Sequence, residues 1–379
     1  MIYLDNAATS FPKPEAVYAA MDGFARTGAG NPGRSGHKLA VAAQSVLEDA
    51  RRQLAWLLNA PDPSRIVFAF NATDALNIAL KGLLSPGDHV VATSMEHNAV
   101  VRPLTRLARL GVETTWVQCD GLGLLDPADL RSALTPRTRL IVVNHASNVS
   151  GTLQPVAEVA EFARSHDLLC MVDAAQTAGC IPIDVQGMPV DLVAFPGHKS
   201  LLGPTGTGGL YVGEPADLQS FREGGTGSAS ESPDHPTELP ARLEAGTHNT
   251  VGLAGLAAGV RFIREISLDA IRAHEQQLSE ALWAGLSEIP GVRLHGPADA
   301  SARAAVVSFT VEGHEPGDAA AILDSSFGIA VRPGLHCAPL AHQTLGTFPR
   351  GTVRLSCGFF NTEADVDAAI AAIAAIARG

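Results

Sequence analysis

One lysine of this chain lies where an amine could do chemistry. Lys199 falls in the segment PGHKSLLGPTGTG, between the apolar runs DLVAF and GGLYV. The β-branched and aromatic residues of such runs are typical of buried strands, whereas glycine, proline and hydroxyl residues between them are typical of a tight loop. The three other lysines have structural explanations, because Lys13 lies between prolines and Lys38 and Lys81 lie near the ends of predicted helices. Lys199 is therefore the candidate for a reaction that needs an amine nucleophile.

A carboxylate follows another apolar run upstream of this lysine. Leu168 to Val172 is a short apolar strand, and Asp173 stands at its C-terminal end, where open α/β sheets bind their ligands. Pyridoxal phosphate needs a lysine for its Schiff base, a carboxylate opposite its pyridine nitrogen and a polar cradle for its phosphate. Asp173 alone could equally be a helix N-cap. Its pairing with Lys199 favours a cofactor site.

Nine short motifs are distributed over nearly the whole chain. They are YLDNAAT at 3–9, NATDALN at 71–77, MEHNA at 95–99, SNVSGT at 147–152, VDAAQ at 172–176, GHKSLLGPTGTG at 197–208, EAGTHNT at 244–250, VRPGLHCAPL at 331–340 and VRLSCGFFNTEADVD at 353–367. This series resembles the class V aminotransferases, and within them the group II cysteine desulfurases, the group that also contains the selenocysteine lyases. The resemblance implies the fold of a type I pyridoxal phosphate-dependent transferase, with pyridoxal 5'-phosphate as cofactor.

The resemblance also implies which residues surround the cofactor ring. Asp173 would stabilise the protonated pyridine nitrogen, and His97 would stack on the ring. Asn148 and Gln176 would contact the phenolic oxygen and the ring. With the nitrogen protonated, the ring accepts electrons from the substrate's Cα, so that this carbon can lose its proton near neutral pH.

The phosphate contacts involve two subunits in the family. Thr73 would begin a helix just after a strand, where its hydroxyl and free backbone amides could bind a phosphate. His198 would be a second ligand, and Thr247 would reach the phosphate of the other subunit, which implies a homodimer. Pro196 stands where the family commonly has a phosphate-binding serine, so one hydroxyl is missing here.

The catalytic residues that the resemblance implies are Lys199, Cys337 and His97, and the substrate-binding residues are Arg354 and Asn148. Lys199 would move the Cα proton of L-cysteine as general base, and Arg354 would bind the substrate carboxylate as a planar bidentate donor. Cys337 lies in a segment rich in glycine, proline and histidine, where a thiol is accessible and His336 could favour its thiolate. Cys337 would attack the substrate sulfur and form a persulfide, with L-alanine as the product.

This hypothesis has two kinds of alternative. The first is a selenocysteine lyase or another C–S lyase of the same family, and Leu335, where members often have a histidine, weakens the desulfurase interpretation slightly. The second is a catalytically idle scaffold that only binds partners, although the presence of Lys199, Asp173, Cys337 and Arg354 argues against it. The resemblance further implies a sulfur-acceptor protein and a link to iron–sulfur cluster assembly.

Composition sets further bounds. A chain of 379 residues with 46% hydrophobic residues can build a large core and should form two domains. The formal net charge of -12 argues against nucleic acid or an anionic membrane surface as partner. No apolar run reaches membrane-spanning length, and Asp5 lies where a signal peptide would have a cationic and then an apolar segment. The five cysteines form no CxxC pair, and the sequence shows no cluster of metal ligands. We therefore expect a cytoplasmic protein without a metal site.

Strands and helices alternate in the pattern of a doubly wound, mostly parallel α/β sheet. The predicted division is an N-terminal arm at 1–14, a large cofactor-binding domain at 15–257 and a smaller α+β domain at 258–379. A long helix is predicted from Leu39 to Asn59, with Leu39 on its apolar face. The polar segment 221–250 has the composition of a disordered linker, but the resemblance implies an ordered loop near the partner's site.

Overall fold

The computed structural model describes residues 1–33, 36–227 and 231–379. The strands are β1 Ile2–Tyr3, β2 Ile66–Ala69, β3 His89–Thr93, β4 Glu113–Val117, β5 Thr138–Asn144, β6 Leu169–Asp173, β7 Leu192–Pro196, β8 Gly208–Val212, β9 Val292–His295, β10 Val306–Val311, β11 Ile329–Ala330, β12 Arg332–Gly334 and β13 Thr352–Ser356. The helices are α1 Glu15–Thr27, α2 Lys38–Leu57, α3 Ala72–Leu83, α4 Asn98–Ala108, α5 Leu130–Ala133, α6 Val156–Ser165, α7 Thr250–Ile266, α8 Leu268–Ser287, α9 Pro316–Phe327, α10 Pro339–Thr344 and α11 Glu363–Arg378.

A seven-stranded sheet forms the centre of the first part of the chain, in the order β2-β8-β7-β6-β5-β3-β4. All neighbouring strands are parallel except β8, which is antiparallel to both β2 and β7. Strands β2, β3, β7 and β8 are buried along their whole length, as expected when helices cover both faces. One hydrophobic cluster contains side chains of α2, α6 and α7, and a second contains side chains of α3 and α4. The predicted doubly wound α/β fold is confirmed.

A second sheet of four antiparallel strands, in the order β12-β13-β10-β9, forms the centre of the C-terminal part. Helices α8, α9 and α11 pack on it through a third hydrophobic cluster. The N-terminal strand β1 pairs with β11 in parallel, so the first residues of the chain lie against this C-terminal part. The predicted boundary between residues 257 and 258 falls within the continuous helix α7, and the domain limits remain a prediction.

Two details differ from the sequence-based expectations. Helix α2 begins one residue earlier than predicted, and Leu39 is exposed, whereas Leu47 is buried with Ala43 and Leu54. The apolar face is therefore rotated slightly from the predicted one, because α2 packs on α7 through small residues as well as leucines. In segment 221–250, residues 221–227 and 231–249 contain no helix or strand, and residues 228–230 lie outside the described part of the chain.

Candidate active site

A cavity of about 210 Å³ lies at the C-terminal ends of the central parallel strands β3, β5, β6 and β7. Because these strands run in the same direction, the residues that follow them meet at one edge of the sheet. The beginning of α3 closes another side. Seven of the ten predicted site residues line this cavity: Thr73, His97, Asn148, Asp173, Gln176, His198 and Lys199.

Lys199 and Asp173 both line the cavity, and their charges interact. Burial, followed by the Arg354 guanidinium, lowers the pKa of Lys199 to about 8. Burial raises the pKa of Asp173, although its Oδ1 accepts a hydrogen bond of 2.9 Å from the Ala175 amide. The cavity thus contains an amine that loses its proton near neutral pH. It also contains a buried carboxylate whose ionised form is stabilised by a cationic neighbour.

Two histidines of the cavity are neutral near pH 7. Burial, followed by the Lys199 ammonium, lowers the pKa of His97 and of His198 to about 4. His97 is the N-cap of α4 and accepts a bond of 3.0 Å from the Ala99 amide through Nδ1, which leaves Nε2 as the protonated nitrogen. His198 Nδ1 is buried and has no hydrogen-bond partner among the described residues. His198 can therefore bind a further group.

The start of α3 provides an anion site in this cavity. Asn71 caps the helix by accepting a bond of 2.9 Å from the Asp74 amide, and Ala72 and Thr73 line the cavity at the first turn. Amides of a first helical turn lack acceptors within the helix and attract anions. Pro196 lines the cavity without a hydroxyl. The residues present fit pyridoxal phosphate, with an amine, a carboxylate and a phosphate cradle around one cavity.

Arg354 lies on β13 of the second sheet, is almost completely buried and contacts the cavity wall at Asn148. Its Nη2 donates to Asp5 Oδ1 over 2.8 Å, and its Nη1 donates to the Asn148 carbonyl over 3.0 Å. Its Nε has no partner among the described residues. A buried guanidinium with an unused N–H is suited to a carboxylate ligand, because such a donor costs free energy when it stays unpaired.

Cys337 is exposed and lies on a loop that is hydrogen-bonded to the cavity wall. The Asn98 amide donates to the Cys337 carbonyl over 2.8 Å, and Asn148 Nδ2 donates to the His336 carbonyl over 2.7 Å. The expected effect of His336 on the thiol is wrong, because His336 is buried, contacts Thr352 and has its pKa lowered by burial to about 2. The cation beside the thiol is Arg332, whose Nη2 lies 3.5 Å from the Cys337 Sγ.

The family model for class V aminotransferases matches residues 2–369. The chain belongs to the class V aminotransferase family. A probable cysteine desulfurase of Methanothermobacter thermautotrophicus is 37% identical over 96% of this chain and 92% of its own length. A cysteine desulfurase of Yersinia pseudotuberculosis is 35% identical over 100% of this chain and 94% of its own length.

Two solved structures share the fold over almost their whole length. The apo cysteine desulfurase of Thermococcus onnurineus superposes with a TM-score of 0.93 at 36% identity, covering 100% of this chain and 95% of that one. The cysteine desulfurase CsdA of Escherichia coli, in an S-sulfonic acid form, gives a TM-score of 0.87 at 33% identity, covering 98% and 93%. The predicted family is confirmed, whereas the assignment to group II remains a prediction.

Thr247, like Arg354 and Cys337, does not line the cavity. It is exposed and lines a separate surface pocket with Phe70 and Arg222. The segment that carries it is fixed by Glu244, which accepts hydrogen bonds from Arg51 and from the Phe68 amide and whose Oε2 lies 3.2 Å from His248 Nε2. This anchoring places Thr247 at the surface, where a second molecule could reach it.

Three polar residues at the site were missed by the sequence reasoning. Asn144 is the last residue of β5, pairs with Asp173 across the sheet and lines the cavity with a buried Oδ1 that has no partner among the described residues. Arg332 is the cross-strand neighbour of Arg354. Asp5 holds Arg354 by the ion pair. The sequence did indicate Asn144, because it ends an apolar strand as Asp173 does. The pairing of Arg332 with Arg354 could not be predicted, because β12 is too short.

The part of the chain that the structure describes has no helix both long and apolar enough to cross a bilayer.

Proposed function

We propose that the protein is a pyridoxal phosphate-dependent cysteine desulfurase, which converts L-cysteine to L-alanine and retains the sulfur as a persulfide on Cys337. The observation that carries the proposal is that the Cys337 loop is hydrogen-bonded, through Asn98 and Asn148, to the cavity that contains Lys199 and Asp173. A cysteine nucleophile at the mouth of such a cavity distinguishes a desulfurase from an enzyme that only removes an α-proton. The curated relatives named above carry this activity in their names.

The cofactor would be held from three sides. Lys199 would form the covalent link, and Asp173 would accept a hydrogen bond from the pyridine N–H. The first turn of α3 and the unpartnered Nδ1 of His198 would bind the phosphate. The remaining contacts to the ring would come from His97, Asn148 and Gln176. When bound, pyridoxal phosphate supplies an electron sink that makes the Cα proton of an amino acid acidic.

Lys199 is suited to move that proton. With a pKa of about 8, its free amine is neutral in an appreciable fraction of molecules near neutral pH. The same amine, once protonated, can return the proton to the substrate. The Asp173 carboxylate stabilises the ammonium form, so that neither state of the amine is excluded.

Arg354 would orient the amino acid. Asp5 and the Asn148 carbonyl hold the guanidinium in one orientation, and Nε stays available for the substrate carboxylate. The held geometry lowers the entropy cost of binding. The side chain of the bound cysteine can then extend toward the Cys337 loop, which Asn148 connects to the same wall.

Cys337 would take the sulfur. The Arg332 Nη2 lies 3.5 Å from Sγ and donates a hydrogen bond to the sulfur that makes the attack. A bond forms between Sγ and the substrate sulfur, and the substrate C–S bond breaks with its electron pair going to the substrate carbon. That carbon takes up a proton, so one thiol and one L-cysteine give one persulfide and one L-alanine. The exposure of Cys337 lets a sulfur-acceptor protein reach the persulfide.

The active form would be a homodimer. Thr247 is exposed and anchored away from the cavity of its own chain. In the proposed dimer its hydroxyl reaches the phosphate of a second copy. This contribution would replace part of the hydrogen bonding that Pro196 cannot provide.

Alanine release from L-cysteine and from L-selenocysteine tests the function when the parent protein is compared with Cys337→Ala. We expect the variant to bind the cofactor and L-cysteine but to lose nearly all alanine formation from L-cysteine. Cys119→Ala, which removes a buried thiol, is the matched control and should keep the activity. Unchanged turnover of L-cysteine by Cys337→Ala would move the assignment to a C–S lyase, and turnover of L-selenocysteine alone by the parent would move it to a selenocysteine lyase.

A further inference from the structure

The residues that precede α1 contact four groups of the site in succession. Asp5 pairs with Arg354, and the Ala7 carbonyl accepts a bond of 3.2 Å from Gln176 Nε2. Residues 9–13 then contact the backbone of the loop that carries Lys199. One short segment therefore connects the arginine of the second sheet with the lysine of the first.

Residues 9–13 contact the Lys199 loop mainly at the His198 carbonyl. It accepts bonds from the Ser10 amide over 3.1 Å, from the Thr9 hydroxyl over 3.0 Å and from the Lys13 ammonium over 2.8 Å. A carbonyl oxygen has two lone pairs, so three donors within this distance saturate it. The orientation of the peptide between His198 and Lys199 is therefore set largely from outside its own loop.

Lys13 also contacts the Lys199 carbonyl indirectly, through the Ser10 hydroxyl. Its ammonium donates to the Ser10 Oγ over 2.6 Å, and this hydroxyl donates to the Lys199 carbonyl over 2.8 Å. Because Oγ accepts from Lys13, its single proton is left for a carbonyl, and the Lys199 carbonyl at 2.8 Å is nearer than the His198 carbonyl at 3.2 Å. The Lys199 carbonyl additionally accepts from the Leu202 amide over 2.8 Å, and Leu202 has a left-handed φ of 60°. The loop backbone beside the reactive lysine is thus strained and needs support.

The Lys13 ammonium occupies this position without a carboxylate. Among the described residues no acidic group forms an ion pair with it, and burial lowers its pKa to about 8. A partly buried ammonium without an anionic partner costs free energy, which here is offset only by the two oxygens that it bonds. Its sequence position between two prolines gave no sign of this contact.

We propose that Lys13 is a positioning residue for the reactive lysine: through Ser10 and the His198 carbonyl it fixes the backbone from which the Lys199 side chain reaches the cofactor. The proposal rests on the proposed function, because it concerns the same lysine. Lys13 contacts neither the substrate nor the cofactor in this role. Its loss should affect how the cofactor is held and how fast the proton moves, and much less how L-cysteine binds.

Holoenzyme with Lys13→Met tests this inference. We expect kcat for alanine formation to fall about tenfold and KM for L-cysteine to change less than about twofold, as for loss of a charge-assisted hydrogen bond that acts through the lysine. The visible circular dichroism per bound cofactor should change, because it reports the orientation of the cofactor. Lys13→Arg, which keeps the charge and the donors, should recover most of both signals, and Lys38→Met, at an exposed lysine, should match the parent.

Parent kcat and parent visible circular dichroism in Lys13→Met would overturn the inference. If Lys13→Met does not fold, Ser10→Ala, which removes the hydroxyl between Lys13 and the Lys199 carbonyl, carries the same expectation and the same contrary result. The parent protein is assayed first. Failure of the parent to form alanine from L-cysteine contradicts the proposed function, whereas an active parent with an unaffected variant contradicts only the role of Lys13.

Discussion

The cavity and the Cys337 loop are neighbours, yet they are built differently. Most of the cavity groups lie at the ends of parallel strands whose C-terminal residues are buried, so their backbone positions are fixed by the sheet. Cys337 is exposed, and His336 and Cys337 have left-handed φ values of 47° and 59°, which non-glycine residues rarely adopt. Hydrogen bonds from Asn98 and Asn148 are what hold this loop beside the cavity.

The difference corresponds to two chemical requirements. Proton transfer at Cα needs a rigid and partly desolvated amine, which a sheet edge provides. Sulfur transfer to a second protein needs a thiol that solvent and the acceptor can reach, which a buried sheet edge cannot provide. If the comparison is correct, variants in the two regions should fail in different ways.

Lys199→Ala should have the largest effect. Without the amine, alanine formation should fall by about 10²–10⁴-fold for both L-cysteine and L-selenocysteine, because both need the Cα proton to move. Borohydride treatment of the parent holoenzyme, followed by peptide mapping, should place the cofactor on Lys199 and leave Lys38 and Lys81 unlabelled. Labelling of another lysine, or an active Lys199→Ala, would contradict the assignment of the cavity.

Thr247→Val should have an intermediate effect, which tests whether the cavity is completed by a second chain. The variant should bind pyridoxal phosphate about tenfold more weakly through loss of one hydrogen bond. At a pyridoxal phosphate concentration too low to load the Thr247→Val protein, co-expressed Lys199→Ala and Thr247→Val subunits should regain activity, because a mixed dimer has one site with both residues intact, or about one site in four overall. Activity no greater than the sum of the two separate variants would exclude a composite site.

Glu275→Gln should have the smallest effect on activity. It should instead change how the free energy of unfolding depends on pH. Glu275 lies on α8, beneath the Lys199 loop, where it lines a small cavity with Ser200 and Cys180. Burial raises its pKa from the usual 4.5 to about 8. Between these two values the unfolded chain is ionised and the folded protein is not, so Glu275 lowers the stability of the parent as the pH rises.

The free energy of unfolding of Glu275→Gln relative to the parent should therefore increase by about 1.4 kcal/mol per pH unit between pH 4.5 and about 8. Urea unfolding at several pH values measures this difference. Glu280→Gln, at an exposed glutamate of the same helix, is the control and should give no such slope. A constant difference for Glu275→Gln across this range would show that Glu275 is already ionised in the folded protein.

The fold and the cavity were predictable from the sequence for one physical reason. Residues that follow parallel strands meet at one edge, so the positions of Asp173 and Lys199 after apolar runs already implied that they lie close together. The motifs of the family added the other residues of the cavity. The exposure of Leu39 was not predictable, because a shift of one residue in a helix with many alanines leaves the apolar pattern nearly unchanged.

Contacts made by irregular backbone were not predictable either. Arg332, rather than His336, lies beside Cys337, because two successive left-handed residues turn the histidine inward, and no sequence pattern indicates such a pair. The same holds for Lys13, whose bond to the His198 carbonyl joins residues 185 positions apart. Strand β1 pairs with β11 over only two residues, which is too short for a periodic signal.

The central claim is that the exposed thiol, and not the buried cavity, receives the sulfur. Holoenzyme mixed with one equivalent of L-cysteine, quenched with an alkylating reagent and digested, tests this claim directly by mass spectrometry. We expect one additional sulfur atom on the peptide that contains Cys337, in an amount equal to the alanine formed. Alanine formed with no additional sulfur on Cys337, or with the sulfur on Cys119, Cys170, Cys180 or Cys357, would contradict it.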